Sequence, residues 1–132
     1  MERRNIDPWG GWERYASTPA VEIVNPSRML LCSGMCASDE NGRALVPPDD
    51  IRGQITAALD KVEYLLVQSG YTLADAVRMN VYTLDVDAVM GAYDIIVKKL
   101  NGAGAVIAGT LVGVTKLGMP DLMVEIEITA MK

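Results

Sequence analysis

The chain has 132 residues, the usual size of a single domain with one core. Half of the residues are apolar, 22% are charged, and the formal net charge is −5. Because an acidic chain repels phosphate backbones, this charge argues against nucleic-acid binding. The sequence contains no histidine, which removes the commonest general base near neutral pH and the commonest zinc ligand. Any chemistry must therefore use carboxylates, hydroxyls, thiols, amines or backbone groups.

The sequence gives no sign of a membrane or export segment. No stretch reaches the ~18 uninterrupted apolar residues that a membrane span needs. The first residues carry positive charge, but no apolar stretch of the secretory type follows them. We therefore expect a cytoplasmic protein without a membrane partner, and we predict neither a metal nor a cofactor.

The first 19 residues lack any helical or strand period. They carry Trp9, Trp12, a Gly-Gly pair and two prolines, which predicts an irregular arm on the surface. We expect the two tryptophans to anchor this arm. A single domain over residues 20–132 is predicted to follow it.

Two extended runs begin the domain, from Ala20 to Val24 and from Met29 to Gly34. The turn signal at residues 25–27 separates them, so they are predicted to pair as a hairpin. Strand alternation would place Cys32 and Cys36 on one face, about 13 Å apart, which is too far for a disulfide. We interpret them as small buried thiols, with a reactive thiol as the alternative.

Two segments have helical periodicity. The first runs from Asp50 to Ser69, with Asp49 or Asp50 as its N-cap and Gly70 just past its end. The second runs from Asp87 to Leu100 and carries two lysines near its C-terminus. Each presents one apolar face, which predicts packing against a sheet.

Three further segments read as strands, over residues 76–83, 105–117 and 122–131. The predicted order is ββαβαββ. Right-handed crossovers would place both helices on one face of a mixed sheet. We therefore predict a two-layer α/β (α+β) sandwich.

The open face of that sheet should be covered by another subunit. In the last strand the alternation directs Leu122, Val124, Ile126, Ile128 and Ala130 to one side, and Met123, Glu125, Glu127, Thr129 and Met131 to the other. The preceding strand is apolar on both sides, as in strands buried on both faces. We predict a homo-oligomer that packs sheet against sheet, with Glu125 and Glu127 near a subunit contact. The alternatives are a monomer covered by its own arm and, for the glutamates, an ion pair or a solvated rim charge.

Four blocks of sequence resemble the Rid (YjgF/YER057c/UK114) family. They are Ser33-Gly34 after an apolar strand, Gln54 followed by Ala-Ala-Leu, the stretch GYTLADAVRMNVYTLDVD, and the ending VEIEITA. The resemblance runs from about Tyr15 to Ala130. It implies a chorismate-mutase-like α/β sandwich that forms a homotrimer with three ligand clefts between neighbouring subunits.

The resemblance also implies a site. Archetypal members are imine/enamine deaminases that hydrolyse 2-aminoacrylate-like intermediates to 2-oxo acids and ammonia. Their clefts use a glutamate at the start of the EIE run and an N-terminal tyrosine, which correspond here to Glu125 and Tyr15 as catalytic residues. Backbone groups near Ser-Gly also contact the ligand, which assigns substrate binding to Gly34.

This sequence departs from the family pattern at the substrate-binding positions. The arginine of the Pro-Ala-Arg segment, which holds the substrate carboxylate, aligns with Gly109 or, with a one-residue gap, with Thr110, and no arginine follows Arg78. Met35 replaces the usual glutamine after Ser-Gly, and Met90 replaces a polar residue at the start of the second helix. Neither methionine nor glycine can replace a bidentate arginine, so we expect a less polar pocket with weak or no activity on 2-aminoacrylate.

These observations favour a cofactor-free hydrolase or tautomerase that acts on a small imine or enamine without an obligatory carboxylate. Glu125 would activate water, Tyr15 would close the cleft, and Gly34, Gly109 and Thr110 would offer backbone contacts. The alternative is a non-catalytic, ligand-binding trimer that serves a metabolic pathway. A more remote alternative follows the older family label of endoribonuclease or translation inhibitor, against which the acidic charge and the lack of a basic stripe both count.

Overall fold

A mixed four-stranded sheet forms the frame of the domain in the computed structural model, which describes residues 1–132. The strands are β1 (Glu2–Ile6), β2 (Ala20–Val24), β3 (Met29–Leu31), β4 (Ala76–Thr83), β5 (Ala108–Gly113) and β6 (Val124–Met131), and the α-helices are α1 (Ile51–Gln68), α2 (Val86–Gly91) and α3 (Asp94–Gly102). The four-stranded sheet has the order β3-β6-β4-β5, in which only β4 and β5 are parallel. The predicted α/β class with a mixed sheet is confirmed. None of the helices combines the length and the apolar character that crossing a bilayer requires.

The alternation predicted for β6 sets the two faces of the sheet. Val124, Ile126, Ile128 and Ala130 are fully buried and pack in one apolar cluster with Ile55 and Val62 of α1, whereas the residues between them are only half-buried. β4 behaves in the same way, with Met79 and Val81 in the core. One face therefore lies under the helices and the other is left open, as the period of two predicts.

Helix α1 follows the prediction closely. The carboxylate of Asp50 caps it by accepting a hydrogen bond of 2.9 Å from the backbone N–H of Gly53. Gly70 follows the C-terminus with φ of +77°, a conformation that glycine adopts without steric cost. The cap and the glycine together define both ends of the helix.

The single helix predicted from Asp87 to Leu100 is wrong, because the chain breaks it into α2 and α3. At Ala92 the backbone leaves the helical region, with φ of −117° and ψ of 11°. Gly91, a weak helix former, ends α2 directly before the break, and Val89 of α2 and Ile96 of α3 are fully buried on either side of it. The break separates Met90, on α2, from Tyr93, just before α3.

The predicted hairpin is also wrong. Strand β2 pairs antiparallel with β1, whereas β3 pairs with β6 at the edge of the four-stranded sheet. The two strands are neighbours in sequence, but each finds its backbone partners in a distant segment. The element order is therefore βββαβααββ.

The N-terminal arm is more regular and less anchored by tryptophan than predicted. Residues 2–6 form β1 instead of an irregular segment. Trp9 is 78% exposed, so it anchors nothing within the chain. The guanidinium of Arg3 instead donates hydrogen bonds to the backbone carbonyls of Ala74 and Val106 and holds the arm to the domain.

Candidate functional site

A cavity lies beside β5, where the 3₁₀ turn of residues 12–15 meets the break between α2 and α3. Its volume is about 180 Å³, and we call it the β5 cavity. Its walls are Trp12, Tyr15, Ser17, Met79, Met90, Tyr93, Ile107, Gly109, Thr110 and Leu111. None of these side chains carries a charge at neutral pH. Apolar walls with a few polar groups are typical of small-molecule sites.

Two tyrosines form the aromatic part of this cavity. The rings of Tyr15 and Tyr93 pack edge to face, with centroids 6.1 Å apart and planes at 82°. Burial raises the pKa of Tyr93, and the nearby Tyr15 adds to this effect. Tyr93 is therefore a neutral phenol at physiological pH. Arg14 stacks on the Tyr15 ring, its guanidinium carbon 5.0 Å from the ring centre.

Strand β5 brings only small groups to the cavity at the position where the resemblance expects an arginine. Gly109 pairs with Met79, and a Cβ on Gly109 would overlap the carbonyl oxygen of Met79. Any side chain at this position would force the two strands apart. Thr110 is exposed, and its N–H donates a 3.2 Å hydrogen bond to the side-chain oxygen of Asn80. The carboxylate-binding arginine thus has no counterpart on this strand.

The segment after β3 contains an extra residue. Relative to regular strand alternation, it reverses the direction of the side chains that follow it. The N–H of Cys32 bonds to the carbonyl of Ile128, and the next bridge pairs Met35 with Ile126 through two hydrogen bonds of 2.8 and 2.9 Å. Three steps along this segment therefore match two steps along β6, as in a β-bulge. The prediction that Cys32 and Cys36 share a face is wrong for this reason. Cys32 and Met35 pack on the core, and Cys36 lies on the face of Glu125.

Glu125 lies against this segment on the open face of β6. A Cβ on Gly34 would overlap the Glu125 carboxylate, so the glycine leaves room for it. Burial raises the pKa of the Cys36 thiol to about 11, the nearby charge of Glu125 adds to this effect, and Lys61 acts in the opposite direction. We call Gly34, Cys36 and Glu125 the Glu125 cluster.

Lys61 of α1 holds the backbone of this cluster. Its ammonium group donates hydrogen bonds to the carbonyls of Cys36 (3.2 Å) and Ser38 (2.6 Å) and to the hydroxyl of Ser38 (3.2 Å). These three acceptors satisfy all three donors of the ammonium group. The segment that carries Cys36 is thereby fixed to the helix layer.

Glu127, two residues further along β6, has different neighbours. Its carboxylate oxygen accepts hydrogen bonds from the Tyr82 hydroxyl at 2.5 Å and from the Asn80 amide at 3.0 Å. These two bonds, that of Tyr82 first, lower the pKa of Glu127. Glu127 is therefore engaged within its own sheet.

The predicted site residues fall into two groups within one chain. Tyr15, Met90, Gly109 and Thr110 line the β5 cavity, whereas Gly34 and Glu125 belong to the Glu125 cluster. β4 lies between β6 and β5, so about 10 Å separates the two strands. Met35 joins neither group, since its side chain packs on the core. The roles assigned to these residues remain predictions.

The site residues that sequence reasoning missed include two aromatic side chains and a thiol. Trp12 and Tyr93 line the β5 cavity, and Cys36 contacts Glu125. Trp12 stood in a segment without periodicity, and Tyr93 fitted the apolar face of a helix that the structure breaks. A bulge leaves no signal in the alternation of a short segment, so the orientation of Cys36 was not accessible.

The whole domain matches a known protein family. The model of the family described as Endoribonuclease L-PSP matches residues 13–132. The chain belongs to this family. Comparison with functionally curated proteins finds no match.

Solved structures agree with this assignment and identify Rid proteins among its relatives. A Rid-family protein of unknown function from Yersinia pestis, YyfB, is 29% identical, covers 100% of both chains and superposes with a TM-score of 0.86. A member of the YjgF/YER057c/UK114 family from Mycobacterium tuberculosis is also 29% identical, over 99% of this chain and 100% of its own, with a TM-score of 0.64. TdcF from Escherichia coli, solved with bound serine, shares the fold at 21% identity and a TM-score of 0.68, over 89% of this chain and 94% of its own. The predicted membership of the Rid family is confirmed.

Proposed function

We propose that this Rid-family chain is a cofactor-free hydrolase of small, neutral imines or enamines. Tautomerisation of the same substrates would be a related proton transfer at the same site. The observation that carries the proposal is the β5 cavity, whose walls are apolar and aromatic and include no cation. A substrate carboxylate buried there would lack a partner, which is energetically costly. A neutral substrate avoids this cost.

Glu125 is the candidate general base. In the proposed reaction its carboxylate removes a proton from water while the oxygen adds to the imine carbon. The protonated carboxyl group returns that proton to the nitrogen, which gives a neutral carbinolamine. The nitrogen then takes up a second proton, from the hydroxyl, as the C–N bond breaks, so ammonia leaves and the carbonyl forms. The balance is R₂C=NH + H₂O → R₂C=O + NH₃. Tyr15 would close the cavity over the substrate.

The reaction requires the Glu125 cluster of one subunit to face the β5 cavity of another, and we propose a homotrimer that does this. In support, the open face and edges of the sheet carry large exposed apolar side chains, among them Val112 (38% exposed) and Leu31 (69%). Such exposure is typical of association surfaces. Light scattering should give three times the mass of one chain at all micromolar concentrations. A concentration-independent monomer would overturn the between-subunit site.

The decisive experiment compares two glutamates in one assay. Amine oxidases generate neutral imines and amino-acid oxidases generate imines with a carboxylate, so ammonia release from both can be measured. We expect the neutral class to be hydrolysed faster.

Glu125→Gln should lower kcat/KM by about 10²- to 10⁴-fold, the range for loss of a general base. The matched control, Glu127→Gln, should stay within about 3-fold of the wild type. Equal effects of the two substitutions would remove the role assigned to Glu125.

A non-catalytic ligand-binding trimer is the second candidate, because the edge-to-face tyrosine pair suits recognition of a flat apolar molecule as well as catalysis. Native mass spectrometry that finds a stoichiometric co-purified ligand, together with absent turnover of both imine classes, would favour it. RNA cleavage, which the family description suggests, has less support, since the chain is acidic and the cavity walls carry no cation.

A further inference from the structure

We propose that Cys36 is a positioning residue for Glu125, whose thiol donates a hydrogen bond to the carboxylate and fixes its direction. The inference rests on the proposed function in one respect, that Glu125 is the base. The contact itself rests on the geometry of the sheet. In this role Cys36 acts through Glu125 and need not touch the substrate.

The register places the two side chains side by side. Met35 and Ile126 exchange both backbone hydrogen bonds, so the next pair, Cys36 and Glu125, is a non-hydrogen-bonded antiparallel pair. In such pairs the Cα atoms are only about 4.5 Å apart, and both side chains point to the same face. The thiol is therefore a direct cross-strand neighbour of the carboxylate.

The other neighbours of Glu125 leave this role to Cys36. Tyr82 lies opposite Glu125 on β4, but its hydroxyl is committed to Glu127. Gly34, on the diagonal, offers space and no side chain. Among these three neighbours, only Cys36 has a side-chain proton free for the carboxylate.

The protonation state of the Cys36 thiol suits a hydrogen-bond donor. With a pKa of about 11, Cys36 keeps its proton at neutral pH and brings no negative charge near Glu125. Lys61 holds the backbone carbonyls of Cys36 and Ser38, which keeps the backbone of Cys36 beside Glu125. A neutral donor can orient a carboxylate and leave its second oxygen free to accept a proton.

The contact can be tested without any enzyme assay. Alkylation of each cysteine is followed by peptide mass spectrometry as a function of pH, in the wild type and in Glu125→Gln. Removing the negative charge should lower the pKa of Cys36, so its alkylation at pH 9 should speed up several-fold. Cys32, which faces the core, serves as the internal control and should not change. An unchanged Cys36 profile would overturn the contact.

The positioning role is tested by two substitutions at one site. Cys36→Ala removes the donor and should lower kcat about 10-fold while KM stays within about 2-fold, because a misdirected base slows the chemical step. Cys36→Ser restores a donor and should recover most of kcat. Equal losses in the two variants, with unchanged melting temperatures, would contradict the role. If the wild type hydrolyses no imine, the proposed function fails, whereas the alkylation result still decides the contact.

Discussion

Glu125 and Glu127 lie two residues apart on the same face of the same strand, yet their surroundings differ. Glu127 faces β4, where Tyr82 and Asn80 donate to it and lower its pKa. Glu125 faces the bulged segment, where it meets a glycine and a neutral thiol. The first environment stabilises the ionised carboxylate through neutral donors, and the second leaves the carboxylate with few partners.

The difference separates a structural carboxylate from an available one. Two good hydrogen bonds hold Glu127 in place but reduce its basicity, since the same bonds that stabilise the anion weaken its hold on a proton. A general base must take up a proton readily, and Glu125 lacks the Tyr82 and Asn80 donors that hold Glu127. The proposed chemistry is therefore assigned to Glu125, although both glutamates occur in the same sequence run.

Among substitutions that leave both glutamates in place, the largest effect is expected at Gly34. A methyl group there would occupy the space of the Glu125 carboxylate and push it aside, so Gly34→Ala should lower kcat at least 10-fold by misplacing the base. The free energy of unfolding should change little, because a flexible side chain can move away. Steady-state kinetics and urea unfolding measure the two quantities.

Gly102 provides the matched control for that substitution. A Cβ at Gly102 meets no atom within 4 Å, and the residue ends α3. Gly102→Ala should keep activity within about 2-fold and should not lower stability. Full activity in Gly34→Ala would show that the position of the Glu125 carboxylate is not constrained by this segment.

The smallest effect is expected in the pH dependence of folding stability that Glu127 contributes. The folded state lowers the pKa of Glu127, so its contribution to stability is present above the pKa of the unfolded chain and is lost as pH falls through the lower folded value. Tyr82→Phe removes the largest cause of that shift. The drop in urea midpoint between pH 7 and pH 3 should therefore be smaller in Tyr82→Phe, by no more than about 0.3 M, because solvent screens this site. A drop equal to that of the wild type would show that the hydrogen bond contributes nothing to stability.

Local patterns predicted much of the fold. The period of two in β4 and β6 assigned core and open faces correctly, and the spacing of three and four together with an Asp cap located α1. These signals are local, since each depends only on which residues a rigid repeat brings to one side. The family resemblance also identified the right relatives.

Pairing and breaks could not be predicted from such patterns. The hairpin of residues 20–34 failed because strand pairing is decided by distant segments, here β1 and β6. The break at Ala92 directly follows Gly91, but a lone glycine inside a helical pattern does not by itself predict a break. For the site, the resemblance named two of the three β5 residues that line the cavity, but it could not show that Met35 faces the core.

The extra residue beside Gly34 has a wider consequence for how this site can change among related chains. The bulge acts as a phase shift: if the same residues continued β3 in regular register, Met35 would lie opposite Glu125 and the thiol of Cys36 would turn into the core. A thioether donates no proton, so the chemistry next to the carboxylate would change although no residue had been replaced. The register of this short segment, and not only the identity of its residues, decides what Glu125 meets.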